Sequence, residues 1–403
     1  MDHPLFSTIP YLNTCEPNWS NLSSQPIKIA SIEVLRIKRR RIGLPFIFPR
    51  NNEELYLIRT RSTDGAMGIS VAHERIKHFY PILQQLVIPY FIGKDIRNIV
   101  SLIDEVYVFR SNYKLSGLAL WCCVAWVEIS LLDLLGKVFN KSVGELFGKV
   151  VQDQIPIYLS SLRRDTTPEE EVDWVGQRLA ETGATAVKFK IGGRMSHDAD
   201  AMPKRTEQLV ALARNTLGDS VSIGVDGNGS YSAQKAVEIG KMLEDYGISF
   251  FEEPCPFDEF DLTEKVAHSL ALPIAGGEQE TSLARFKQMI HRQIVDILQP
   301  DLIYNGGFIR TFRVVQVAAQ AKMPVTLHNA RLGIDPIYML HFASCLPRNH
   351  QEYNARMEKI PSWFTPSLIP KNGLLRVPRG PGLGIEIDPG ILRKARKLAI
   401  QAI

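Results

Sequence analysis

Val187-Lys188-Phe189-Lys190 opens a series of short apolar runs, each ending in polar residues, that continues to residue 328. Ile223-Gly224-Val225-Asp226 follows, then Ser249-Phe250-Phe251-Glu252 and Ile274-Ala275-Gly276-Gly277-Glu278. Ile297-Leu298-Gln299-Pro300-Asp301 and Val325-Thr326-Leu327-His328 complete the series. Each run is apolar and bounded by turn residues, the pattern of a strand buried on both faces of a parallel sheet. Amphipathic segments of helical length lie between them, such as Thr206 to Thr216 and Ser232 to Tyr246. One strand and one helix every ~25–35 residues predicts a (β/α)-barrel. The C-terminal ends of barrel strands share one mouth, so the polar residues that close these runs are expected around a single site.

Working outward, Ile155 to Ser160 is expected as the first barrel strand. Thr167 is placed to N-cap the next helix, with Pro168 at its first position. His350-Gln351-Glu352-Tyr353-Asn354 is expected as the eighth strand. Before the barrel, residues 27–38 alternate as a strand. Glu54 to Arg61 and Gly65 to Ala72 read as a hairpin around Ser62-Thr63-Asp64-Gly65. Helical patterns follow at about Lys77 to Val87, Ile96 to Arg110 and Ser116 to Val138. These elements predict an α+β domain over residues 27–150 and a barrel over 151–360. Residues 361–403 form a C-terminal segment, rich in Pro and Gly to residue 388 and then reading as a basic helix from Pro389 to Ala402. Residues 1–26 read as an N-terminal extension without periodicity.

The 403 residues suffice for a barrel and a second domain. The formal charge of +4 is small for this length and argues against a nucleic-acid partner. Arg36 to Arg41, the densest basic run, reads as a solvated strand edge. Five cysteines, odd in number and without a Cys-x-x-Cys pair, argue against a disulfide framework or a structural zinc site. A reducing, cytoplasmic setting is expected, with adjacent Cys122 and Cys123 as buried small hydrophobes. The first residues carry no secretory signal pattern. No apolar run reaches the length of a membrane span.

Asp226, Glu252 and Glu278 end three successive runs and would lie side by side on adjacent staves. Carboxylate oxygens are the donors that Mg²⁺ prefers. Alternatively, each carboxylate caps its own following helix. Lys188 and Lys190, one residue apart, point to the same side of their strand. Two ammonium groups there need opposing carboxylates or a chemical use, and their repulsion would favour a neutral form of one. Asp301 beside His328 would hold one imidazole tautomer and raise its basicity, across the mouth from the lysines. A histidine alone on such a run would read as a satisfied core residue.

Taken together, Lys188-x-Lys190, Asp226-x-Asn228, Glu252-Glu253-Pro254, Gly277-Glu278, Gln299-Pro300-Asp301 and His328 resemble the enolase superfamily, in its mandelate racemase subgroup. Ala125-Trp-Val-Glu-Ile-Ser-Leu-Leu-Asp-Leu-Leu-Gly136 and Lys137 resemble that family's helix before the barrel. The resemblance covers nearly all of residues 27–388. It implies a modified (β/α)7β TIM barrel, with an N-terminal α+β capping domain completed by the C-terminal segment. It also implies Mg²⁺ on Asp226, Glu252 and Glu278, and the abstraction of a proton α to a carboxylate through an enediolate. Lys190 would be the base, with Lys188 lowering its pKa. His328, oriented by Asp301, would act on the opposite face. Glu352 matches a carboxylate-binding glutamate, and Asn228 would support the metal ligands or bind sugar. In the variable first-domain loop, Gly43 to Arg50, Phe46 and Phe48 would exclude water and Arg50 would bind a distal substrate group. The implied activity is dehydration of a sugar acid to a 2-keto-3-deoxy acid in a homo-oligomeric enzyme. Racemisation or epimerisation of a 2-hydroxy acid is the alternative, and a non-catalytic carboxylate-binding protein is a third reading.

Overall fold

Alternating apolar residues such as Ile32, Val34 and Ile58 build one buried face of an antiparallel sheet. Ile29–Arg40 (β1) pairs with Asn52–Ser62 (β2), and β2 pairs with Met67–Ala72 (β3). The structure is a computed structural model that describes residues 3–8, 19, 24–40, 52–356 and 360–402. Arg50, with Gly43, Phe46 and Phe48, lies outside the described residues. The expected C-terminal basic helix is corrected. Only Pro389–Leu392 is helical, and Arg396–Ala402 is a strand paired antiparallel with β1. Apolar residues Leu398 and Ala399 reach the domain core, which a solvated basic helix would not allow. β1 therefore has a neighbour on each side, and Arg36 stands between Tyr56 and Arg396 and not on a free edge.

The Leu118–Phe139 helix packs on this sheet. It is long and apolar enough to cross a membrane, contrary to the sequence expectation. Of its apolar window, 89% is buried inside the molecule, so it serves as a core helix. Its polar residues bond the sheet. Ser130 meets Thr60 at 2.7 Å, Ser70 donates to the Trp126 carbonyl at 2.5 Å, and Ile69 N donates to Asp133 at 2.8 Å.

The barrel begins with Gln154–Ser160 (β4) and Ala186–Lys190 (β5), then Ser222–Asp226 (β6) and Phe250–Glu252 (β7). Ile274–Gly276 (β8), Ile297–Leu298 (β9) and Gln351–Asn354 (β10) follow. All pair in parallel from β4 to β9, and β10 returns to β4. Thr167 and Ser232 N-cap the helices after β4 and β6, the first with Pro168 in its opening turn. The stave at Val325–His328 is less regular than the sequence suggests. It joins β9 only through the bridges Leu298–Val325 and Asp301–His328. Toward β10, side chains replace the ladder. Thr326 Oγ1 donates to the His350 carbonyl at 2.7 Å, and Leu327 N donates to Gln351 at 3.0 Å.

Part of the N-terminal extension packs on the barrel. Residues 3–8 close the base of the barrel. Phe6 is 1% exposed and meets Tyr158 and Phe250 edge-on, at ring separations of 6.1 and 5.6 Å. Leu5, Phe6, Tyr158, Ala186, Phe250, Ala275 and Ile297 form one cluster. Small Ala186 and Ala275 on the staves leave the space that Phe6 fills. Gly224 acts similarly, because a Cβ there would lie 2.3 Å from the Phe250 ring. Polar contacts fix the segment. Ser7 N donates to Asn349 at 2.7 Å, His350 N donates to the Leu5 carbonyl at 3.1 Å, and His3 bonds the Ser249 carbonyl at 2.9 Å.

Candidate metal and acid–base site

Barrel register sets the first row of the site. Lys190 stands opposite Asp226, and Asp226 opposite Glu252. Glu278 lies two residues beyond the end of β8, on the loop. Ligand oxygens of Asp226, Glu252 and Glu278 lie within 4.8 Å of one another, and all three residues are buried. None caps its following helix: the carboxylates face the mouth. Burial, with the neighbouring carboxylates of Asp226 and Glu352 outweighing Lys188, pushes Glu252 up to about 8. Glu253 is raised well above the carboxylate range by burial and by Glu278 and Asp226. Asp226 is held low against burial by Lys190 and Lys188. This is a crowd of hard oxygen donors with more negative charge than its two lysines offset. The residues therefore fit a hard divalent cation such as Mg²⁺.

Lys188 and Lys190 both turn into the barrel. Lys188 Nζ lies 2.6 and 2.7 Å from the two Glu252 oxygens and 2.8 Å from Glu352. Burial opposes its charge, but Glu252 and Glu352 raise its pKa well above the ordinary lysine value. Carboxylate clamping thus outweighs repulsion between the lysines, and Lys188 is held as a cation. Lys190 Nζ contacts Asp226 Oδ2. Gln299, part of the Gln-Pro-Asp run but with no role assigned from sequence, donates to Glu252 at 2.6 Å.

His328 Nδ1 bonds Asp301 at 2.8 Å, and Nε2 lies 2.9 Å from Glu278 and 3.7 Å from Glu352. Against burial, Glu278 and Glu352 raise its pKa, with Asp301 adding to them, so the imidazole is held protonated. Glu352 lies on β10 with no exposed surface. It bridges the two sides of the mouth, one oxygen on Lys188 and the other accepting from Asn329 N at 2.8 Å. Lys188 and His328 hold Glu352 down at about 2 against burial.

Sequence reasoning missed Arg331 and Tyr304. Arg331 Nη2 lies 3.0 and 2.8 Å from the Asp301 oxygens, so Asp301 is shared between His328 and a guanidinium. The Tyr304 ring lies 5.1 Å from that guanidinium and 6.4 Å from the His328 ring. Arg75, from the first domain, bonds Tyr304 Oη at 3.3 Å. No spacing rule brings residues 75, 304 and 331 together; only the docking of the two domains does. That docking is itself bonded. Buried Glu128 of the long helix accepts from Phe308 N and Ile309 N at 2.7 and 2.9 Å, capping the next barrel helix. Gly307 permits this, since a Cβ there would overlap Glu128.

Asn228 sits beside the triad with every side-chain group engaged. Its Nδ2 donates to Asp226 at 3.2 Å and to Glu253 at 3.3 Å, and its Oδ1 accepts from Arg164 at 3.0 Å. It supports carboxylates through Nδ2 while its Oδ1 accepts from Arg164.

A closed parallel barrel with carboxylates on adjacent staves, lysines on one side and an Asp–His pair on the other defines a class built to handle carbon acids. Residues 170–391 match the family described as "Enolase C-terminal domain-like". The chain belongs to this family, in its mandelate racemase subgroup. It is 30% identical over 352 residues to an arabinonate dehydratase of Saccharolobus solfataricus, covering 85% of this chain and 90% of that one. It is 26% identical to a D-galactarolactone cycloisomerase of Agrobacterium fabrum, covering 76% and 82% of the two chains. In fold it matches the mandelate racemase/muconate lactonizing protein of Paracoccus denitrificans, solved with magnesium. The TM-score is 0.82 at 24% identity, over 93% of this chain and 99% of that one.

Proposed function

We propose that this protein dehydrates a sugar acid to a 2-keto-3-deoxy acid, using Mg²⁺ held by Asp226, Glu252 and Glu278. The observation that carries the reading is the buried carboxylate triad with a lysine pair on one flank and a protonated His328 on the other. The cation, when bound, would neutralise the substrate carboxylate and so make its α-proton more acidic. Lys190 Nζ, in its neutral amine form, accepts that proton as the α C–H bond breaks. Lys188 stays charged beside it and offsets negative charge on the carboxylate. His328 gives its proton to the β-hydroxyl, which leaves as water when the C–O bond breaks. The enol that remains tautomerises to the 2-keto acid. Asp301 keeps Nδ1 of His328 engaged, so Nε2 is the nitrogen that faces the site. The arabinonate dehydratase relative supports the same chemistry. Free Cys122, Cys123, Cys255 and Cys345 support a reducing, cytoplasmic setting.

An epimerase or related isomerase is the second reading, since a base and an acid on two sides also serve 1,1-proton transfer. The cycloisomerase relative favours keeping it. The test is a panel of acid sugars with Mg²⁺ in deuterium oxide, followed by NMR. Dehydration yields a 2-keto-3-deoxy acid. Inversion at the α-carbon with deuterium incorporated and no keto acid would replace the dehydratase reading by the epimerase one.

A further inference from the structure

Arg164 follows β4 on the loop at the barrel mouth, and the chemistry above gives it no role. Its half-buried guanidinium has four hydrogen-bond acceptors, all neutral. Nε donates to the Gly192 carbonyl at 3.0 Å. Nη2 donates to the carbonyls of Ile191 and Asp226 at 3.2 and 3.4 Å, and to Asn228 Oδ1 at 3.0 Å. A planar fork is the group that can serve such a set from one position. The acceptors lie at the exits of β5 and β6, the staves that carry Lys190 and Asp226.

The contact with Asn228 has a chemical consequence. An amide can face its neighbours with either its oxygen or its NH₂, and the hydrogen-bond partners choose. Arg164 can only donate, so the oxygen of Asn228 must turn to it. The NH₂ then faces Asp226 Oδ2, which as an ionised oxygen can only accept, and also reaches Glu253 Oε2. Asn228 N also donates to Asp226 Oδ1, at 2.7 Å, so both oxygens of Asp226 are fixed by one residue. Asn228 holds a φ of 44°, a left-handed backbone that Asn and Asp tolerate better than most residues.

We propose that Arg164 is a positioning residue for the cation site: it sets the amide of Asn228, and that amide holds the carboxylate of Asp226 in place for the metal. The proposal rests on the Mg²⁺ reading above. Outer partners that orient metal ligands change affinity by about 10–100-fold when removed. Isothermal titration with Mg²⁺ alone tests this. Arg164→Met should weaken Mg²⁺ binding about 10–100-fold in a protein that still unfolds cooperatively, at a lowered midpoint because the carbonyls it served lose their donor. Arg164→Lys should not rescue it, because the acceptors are divided between Nε and Nη2 and an ammonium has one nitrogen to place among them. Adding Arg164→Met to Asn228→Ala should cost nothing further, since the arginine acts through that amide.

Asn228→Asp is the decisive arm, being nearly isosteric and tolerant of the same backbone. It places an oxygen against the ionised Asp226 Oδ2, so Mg²⁺ binding should weaken. Unchanged or tighter binding by Asn228→Asp would overturn the proposal, even if Arg164→Met fails to fold. So would a wild type that binds Mg²⁺ beside an Arg164→Met protein within twofold of it, or additive losses in the double variant. A wild type that binds no Mg²⁺ overturns the metal reading and this inference with it, a pattern distinct from the others.

Discussion

Measured above pH 8, where Glu252 is ionised, Glu252→Gln isolates the charge of one carboxylate at nearly constant volume. Glu252 accepts from Lys188 at 2.6 and 2.7 Å and from Gln299 at 2.6 Å. A glutamine offers one oxygen to these donors and sets its NH₂ against the others. Breaking a buried ion pair costs about 3–5 kcal/mol when the remaining charge is left uncompensated. Lys188 keeps Glu352 at 2.8 Å and Asp226 at 3.8 Å, so the loss in stability should sit at or below the lower end, about 3 kcal/mol. The effect on metal binding should be larger. Changing a mere supporting partner costs about 10–100-fold in affinity, so removing one of three ligands should exceed about 100-fold. Mg²⁺ titration calorimetry measures the affinity, urea unfolding the stability, and keto-acid formation the turnover. The variant should fold, bind Mg²⁺ poorly and turn over nothing detectable. Mg²⁺ affinity within tenfold of wild type, or wild-type turnover that persists in excess chelator, would refute the reasoning.

Phe6→Ala should cost about 3–5 kcal/mol, as for other large-to-small changes in packed cores, and urea melts would show it. An unchanged midpoint would mean that residues 3–8 do not fill the barrel base. His341 is buried, bonds the Leu383 carbonyl at 3.0 Å, and is held down to about 4 by that burial. The unfolded chain protonates near the ordinary 6.5, so the stability this group contributes is complete above that pH and is lost as pH falls toward 4, at most about 3 kcal/mol. His341→Gln should remove this share of acid sensitivity, and melts at pH 7 and 4.5 that lose equal stability in both proteins would contradict it. His328→Asn should retain exchange of the substrate α-hydrogen with deuterium while making little keto acid, whereas Lys190→Ala should lose both. Exchange that survives in Lys190→Ala would move the base elsewhere.

Much of the barrel was legible because parallel strands are buried on both faces. Val187 to Lys190 and Ile223 to Asp226 are apolar whichever way they point, so no knowledge of the partner strand was needed. Polar residues at the ends of such runs stand out, and barrel closure then places Asp226, Glu252, Glu278 and His328 at one mouth. The C-terminal tail was misread because its local composition suits a helix, while its strand exists only through pairing with β1. The buried helix at Leu118–Phe139 passes a membrane test by composition, and only the sheet packed on it settles its place. The first residues carry no periodicity, and Phe6 becomes a core residue only because Ala186 and Ala275 leave room for it. Electrostatics went the same way. Lys188 and Lys190 side by side suggest mutual repulsion, yet Glu252 and Glu352, each two staves away on opposite sides, decide the charge of Lys188. Sequence by itself determined which residues reach the mouth, since strand periodicity is a local property. Which partner each one meets there, Arg331 on Asp301 and Arg164 on Asn228, was decided by tertiary structure. Those contacts join residues 30 and 64 positions apart, where no local pattern acts.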